Sequence, residues 1–250
     1  MEVHVLASGS DGNCAVIESD GEAVMIDAGI SCRRIMSLMD QEGVDPSCIK
    51  ALLLTHEHSD HVSGAGPVAR KLDIPVMGSP GTLNNVNLGR VDYIPYDMRR
   101  SFDVGCIHVT PLPTSHNAAE PNAFLTECDG RKILLATDTG KFTFQIEQAL
   151  SEADIAVIEA NYDNDMLVNG PYPYTLKKLI GSERGHMSNV DCGNAIRRTM
   201  NDRRQIFLAH LSRTNNEPDV ARETVSEITG IKRYKIDCLE FQGDTRTLRV

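Results

Sequence analysis

The sequence predicts a mixed α+β protein built from two similar halves, and three observations predict it. Short apolar runs of strand length alternate along the chain with longer stretches of helical periodicity. One supersecondary unit is echoed: NCAVIESDGEAVMIDAG from Asn13 and NAFLTECDGRKILLATDTG from Asn122 each read Asn, strand, Asp-Gly turn, strand, Asp, then Gly two residues on. Nothing in between resembles a linker or a low-complexity segment, so residues 1–250 are expected to form one domain, long enough for a sizeable core.

The elements follow in order. VHVLA (3–7) reads as a strand, and CAVIES (14–19) and EAVMIDAG (22–29) flank Asp20-Gly21 as a hairpin. A helix is expected over 31–42, opened by Ser31 and stopped by Gly43. IKALLLT (49–55) is a buried strand, 62–72 is helical, and IPVMG is again a strand. The Asn-, Gly- and Arg-rich stretch 80–105 carries no periodicity and reads as irregular. CIHVTPL (106–112) is a strand, and AFLTEC (123–128) and KILLATD (132–138) flank a second Asp-Gly turn. Helices are expected over 142–150, around 172–181 and 188–201, and over 217–229. Strands are expected at DIAVIEA (154–160) and QIFLAHLS (205–212), with weak strands beyond.

Composition narrows the functional classes. A net charge of −10 argues against broad, nonspecific nucleic-acid binding, although it leaves room for a local cationic or metal-lined site. No apolar run approaches membrane-spanning length, and MEVHVLASGS has no basic region followed by an apolar one, so neither a membrane partner nor a secretory signal is expected. Seven cysteines, an odd number with no C-x-x-C pair, fit free thiols in a reducing cytoplasm, and they read as core residues or surface thiols. His4 and His108 lie inside strands and read as structural.

The chemistry concentrates in LTHEHSDHVSG, residues 54–64. His56 and His58 are two apart at the end of a buried strand, so an extended backbone points both to one side. Asp60 and His61 follow at a helix entrance. Imidazole and carboxylate are the usual ligands of zinc, iron and manganese, and without an ion the group would suffer repulsion and desolvation. Four or five ligands suit two ions better than one. Two ions need a bridging carboxylate and further histidines, and the other strand ends offer His116 in PLPTSHN, Asp138 in LLATDTG and His210 in AHLSRTNN.

H-x-H-x-D-H after a buried strand, followed by a His, an Asp and a His at later strand ends, resembles the metallo-β-lactamase superfamily. The resemblance implies an αββα sandwich, two mixed sheets between outer helices, with two divalent ions at the sheet edges. By it His56, His58 and His116 hold one ion, Asp60, His61 and His210 the other, and Asp138 bridges them. Asp60 is counted among the catalytic groups as well, and Asp27 braces the metal loops. Strand-end Glu159 followed by His186 in GHMSN is similar to the acid–imidazole proton relay of tRNase Z.

ASGSxGNC, THEHxDH, EANxD, GHxSN and HLSxxNN, in that order, resemble the YycJ (WalJ)-like branch of the superfamily, which is associated with 5′-to-3′ DNA exonuclease activity. Asp11 and Tyr162 depart from the branch pattern. The resemblance implies a dinuclear phosphodiesterase whose partner is DNA, loaded with zinc, manganese or iron. Ser8, Ser10, Asn13, Ser188, Ser212 and Asn215 are the expected phosphate contacts, since Gly-, Ser- and Asn-rich loops present donors to phosphate. Arg90, Arg99 and Arg100 form the expected strand-binding rim, whereas the basic residues Arg197–Arg204 read as a solvated face. Two other readings compete: a hydrolase of a small thioester, lactone or cyclic phosphodiester, and a noncatalytic metal-binding interaction protein.

Overall fold

Alternating burial decides the architecture. In the computed structural model, which describes residues 1–240 and 243–250, the chain opens with β1 (Glu2–Ala7) and the hairpin β2 (Cys14–Ser19) and β3 (Glu22–Ile26). Helix α1 (Cys32–Glu42) follows, its first turn capped by the Ser31 hydroxyl and its last closed by Gly43 at φ 73°. Next come β4 (Ile49–Leu53), α2 (Ser59–Val62), α3 (Ala65–Leu72), β5 (Val76–Gly78), α4 (Pro80–Asn84) and β6 (Tyr93–Pro95). The second half runs β7 (Phe102–Val104), β8 (Ile107–Pro113), β9 (Asn122–Cys128), β10 (Arg131–Ala136), α5 (Phe144–Glu152) and β11 (Ile155–Glu159). It continues through α6 (Asn164–Asn169), α7 (Tyr174–Ile180), α8 (Asn189–Arg198), β12 (Gln205–Ala209), α9 (Pro218–Thr229) and β13 (Ile236–Cys238), and β14 (Arg246–Arg249) returns to the first half.

Two seven-stranded mixed sheets result, ordered β14-β1-β2-β3-β4-β5-β6 and β13-β12-β11-β10-β9-β8-β7. The apolar run IKALLL is continuous because both faces of β4 are covered. Leu53 packs between the sheets with Ile26, Phe124 and Phe207, while Leu52 and Leu54 pack outward against α1 and α3 beside Ile35, Met39 and Val68. In β12, Phe207 and Ala209 face the inter-sheet core and Ile206 and Leu208 face the helices α5, α8 and α9. The layers are therefore helix, sheet, sheet, helix, as the sequence resemblance implied.

The echoed units fold alike. Asp20-Gly21 and Asp129-Gly130 both turn with positive φ, 50° and 74° in the first and 50° and 72° in the second. In each half an antiparallel hairpin is followed by a parallel strand, β3 to β4 and β10 to β11. Three expectations need correction. The stretch 80–105 is not irregular throughout: it holds α4, β6 and β7, elements too short to show a period. Arg204 does not lie on a solvated face; it is buried and donates to the carbonyls of Leu150, Thr199 and Ile196, closing the end of α8. His108 lies on the surface beside Asp103, 2.6 Å away, whereas His4 is buried against Thr247. No helix among the described residues is long and apolar enough to cross a membrane.

Candidate active site

Strand ends deliver the site. β3, β10 and β12 each finish a residue or two before a side chain held in the left-handed region: Asp27 (φ 57°), Asp138 (φ 54°) and His210 (φ 56°). Aspartate tolerates this conformation, and histidine there is rarer and needs restraint. His210 has that restraint: its N–H donates to Ser8 Oγ at 2.7 Å, and its carbonyl accepts from Asn161 Nδ2 at 2.8 Å.

Asp27 organises the histidine cluster from beneath. Its carboxylate accepts from the Thr55 N–H (2.9 Å) and hydroxyl (2.8 Å), and its Oδ2 stands 2.7 Å from His61 Nδ1. A proton fixed on Nδ1 leaves His61 Nε2 as the free donor atom, 3.1 Å from Asp138 Oδ2. His116 is oriented in the same manner by the Gly185 carbonyl, 2.9 Å from its Nδ1. Glu57, inside the motif but aimed away from it, accepts from the Ala119 N–H at 2.7 Å and pins the loop that carries His116. Gly29 lets the two loops meet: a Cβ there would fall 1.6 Å from the Asp60 carbonyl oxygen.

Two ligand sets result, each with its donor atoms within 4.8 Å of one another: His56, His58 and His116, and Asp60, His61, Asp138 and His210. Asp138 lies between them, with Oδ1 3.6 Å from His116 Nε2 and 3.8 Å from His210 Nε2. Burial and the neighbouring His61 push the His56 pKa well down, so it is a neutral donor. Burial works against charge on His61 too, but the Asp138 and Asp27 carboxylates prevail and hold its pKa well up. Burial likewise opposes charge on His210, yet Asp138, Asp60 and Glu159 raise its pKa to about 10. Cation loading must therefore displace protons from this set.

The residues fit a pair of cations by their unmet needs. His56 Nε2 is fully buried and has no hydrogen-bond partner among the described residues. Asp138 Oδ2 makes no well-aligned bond either, despite His61 nearby. An unsatisfied buried polar atom costs about 1–3 kcal/mol, and a cation at the centre of each set would satisfy these atoms. His58 Nδ1 and His116 Nε2 face each other at 3.4 Å, an unfavourable approach of two lone pairs unless a proton or a cation lies between them.

Glu159, fully buried, joins this centre to His186. Its Oε2 accepts from the Thr139 N–H at 2.7 Å, and its Oε1 stands 2.7 Å from His186 Nδ1 and 3.2 Å from His210 Nδ1. Burial opposes charge on His186, but Glu159 outweighs it and raises the His186 pKa. The ring remains partly exposed at the cleft.

The expected phosphate contacts are mostly engaged within the chain. Ser8 holds the His210 N–H, Ser188 caps α8 through the Asp191 N–H at 3.0 Å, and Ser212 accepts from the Asn215 N–H at 3.2 Å. The Asn13 amide lies beside His61 Nε2 and Gly9, Ser10 is exposed, and the buried Asn215 side chain has no hydrogen-bond partner among the described residues. The sequence reading assigned no role to Thr55, Asn161 or the Gly185 carbonyl, although all three stand inside the motifs THEHxDH, EANxD and GHxSN. It also missed the pairing of Asp11 with Arg213, 2.6 Å apart at the surface beside Ser8 and Ser212, though Asp11 stood out as an unexpected charge.

Comparison with known proteins agrees with this geometry. Residues 22–211 match the family model described as the beta-lactamase superfamily domain. The chain is 36% identical to exodeoxyribonuclease YycJ of Bacillus anthracis, over 94% of this chain and 92% of that protein. It is 35% identical to exodeoxyribonuclease WalJ of Streptococcus pneumoniae, over 88% of this chain and 85% of that one. Among solved structures, the metallo-beta-lactamase fold protein YhfI from Bacillus subtilis superposes with a TM-score of 0.76 at 16% identity, covering 98% of both chains.

Proposed function

The chain belongs to the metallo-β-lactamase superfamily, and from that premise we propose that it is a dinuclear metal-dependent phosphodiesterase that degrades DNA from the 5′ end. The observation that carries the reading is the convergence of two His/Asp sets on Asp138, directly beneath the Glu159–His186 pair. Residues 1–250 act as one catalytic domain in this reading, because the ligands come from both sheets.

His56, His58 and His116 would hold one ion and Asp60, His61 and His210 the other, with Asp138 shared. Ions so held supply a Lewis acid for the phosphoryl oxygens and acidify water. The chain's own residues do the rest. Asp27 and the Gly185 carbonyl fix which nitrogens of His61 and His116 face the centre. Glu159 takes the Nδ1 proton of His186 in a hydrogen bond, which turns His186 Nε2 toward the cleft. There the imidazolium donates a proton to the departing sugar oxygen, while Glu159 steadies the charge. A donor set without sulfur accepts manganese, zinc or iron, so the reading covers all three.

Digestion of 5′-phosphorylated duplex DNA with manganese or zinc restored tests the reading. His61→Ala and Asp138→Ala should each remove nearly all nucleotide release. An unchanged rate in either variant, or turnover of chromogenic esters with none of phosphodiesters, would overturn it.

A further inference from the structure

A separate group of side chains able to ligate a cation lies at the opposite end of the sandwich. β3 runs from the Asp20-Gly21 turn to Asp27, β10 from the Asp129-Gly130 turn to Asp138, and β8 from Cys106 toward His116. Five- to seven-residue strands separate the two ends by roughly 17–23 Å. At that far end Asp20, Cys106 and Cys128 bring one carboxylate oxygen and two thiol sulfurs within 4.8 Å of one another. Each comes from a different turn or strand end, Asp20 from the first sheet and the two cysteines from the second.

The local geometry is built to hold them. Cys128 Sγ stands 3.7 Å from Asp20 Oδ2, a separation compatible with two ligands of one tetrahedral ion whose bonds are about 2.0–2.3 Å. Cys106 sits in the two-residue turn between β7 and β8, where Gly105 at φ 59° reverses the chain. Its N–H donates to Glu22 Oε2 at 2.7 Å and its thiol to the Ser19 carbonyl at 3.3 Å, so this turn is fastened across the gap between the sheets. Cys128 is buried and Cys106 is exposed, which leaves one open side for an ion to enter.

We propose that Asp20, Cys106 and Cys128 form a second, structural metal site for a thiophilic divalent cation such as zinc, clasping the two sheets at the end away from the catalytic centre. Three protein donors leave one position of a tetrahedral ion to water. Loading displaces both thiol protons and forms two metal–sulfur bonds. A coordinating cation deprotonates the thiols it binds. A disulfide between the two thiols is the competing product: Cys128 lies beside Ile107 in the register, one residue from Cys106, and the mass of the chain decides between the two outcomes.

Cobalt titration of the full chain separates this site from the catalytic one, because the His/Asp sets contain no sulfur. Wild type should develop a near-ultraviolet thiolate-to-cobalt charge-transfer band and bind one ion per chain more than Cys106→Ser or Cys128→Ser, both of which should lack the band. Asp20→Asn should keep the band but need more cobalt to reach it. Cys106→Ser, altered only at an exposed turn, should retain DNA hydrolysis within about twofold once its catalytic ions are loaded. The proposal falls if the band is absent while the visible bands of the His/Asp site saturate. It also falls if the two thiols are lost together with a mass lower by two hydrogens. Failure of the catalytic reading would instead appear as loss of those visible bands or of DNA turnover, with the charge-transfer band intact.

Discussion

At the scale of single residues, the site was legible wherever chemistry is written as spacing. THEHSDH announced a cation centre because imidazoles and a carboxylate at those intervals have few other uses. The tasks of Thr55 and Gly185 were not legible, because what they contribute is a hydroxyl's position and a carbonyl's direction, which depend on folding. Glu57 was visible but not its task, which is to hold the loop of a residue almost sixty positions away. Two expectations belong here. His186→Gln should lower kcat on DNA by about 10²–10⁴-fold with metal content unchanged, measured by single-turnover digestion beside metal analysis. Asp11→Ser should release Arg213 from its 2.6 Å ion pair and lower KM for DNA several-fold, with a steeper dependence on salt than wild type. An unchanged KM and salt slope would show that Arg213 stays clear of the phosphates.

At the scale of elements, periodicity found the long strands and the capped helices, because burial on one face or both leaves a pattern in hydrophobicity. It lost α4, β6 and α6, which span six residues or fewer and answer to neighbours rather than to a period. It also mistook Arg204, since a cation serving carbonyls inside the fold looks, in sequence, like one in solvent. The loop after β3 shows how elements depend on one another. Gly29 N–H donates to the Asn13 carbonyl, and Asn13 N–H to that of Asp60, so three segments close together at backbone distance. Gly29→Ala should force them apart. Expected are a loss of about 1–3 kcal/mol in urea unfolding and a lowered metal content, because Asp60 and His61 move with the loop. A variant that keeps both would mean that the loops can part without disturbing the ligands.

At the scale of the whole molecule, the echo of Asn13 and Asn122 proved the most informative line in the sequence. It foresaw two halves with matching turns and matching aspartates, Asp27 and Asp138, and the structure adds that both are left-handed. It could not foresee that these aspartates divide the work, one under the cluster and one within it, since the same backbone position supports both. A centre whose donors come from both sheets couples ion binding to docking of the sheets. Chelation should therefore lower Tm, and restored manganese or zinc should recover it. At a hundredfold excess over Kd a single ion stabilises by about 2.7 kcal/mol, readable in thermal scans at fixed protein concentration. A Tm indifferent to chelation would mean that the sheets dock without help from the ions.

The order of donors along the chain carries its own consequence. His56, His58, Asp60 and His61 leave the ribosome early, His116 and Asp138 midway, and His210 only after β12 has been made. A polypeptide halted before that strand owns most of the cage and lacks its final corner. Fragments ending before β12 should therefore bind one cation fewer than the full chain, because His210 completes the set with Asp60, His61 and Asp138.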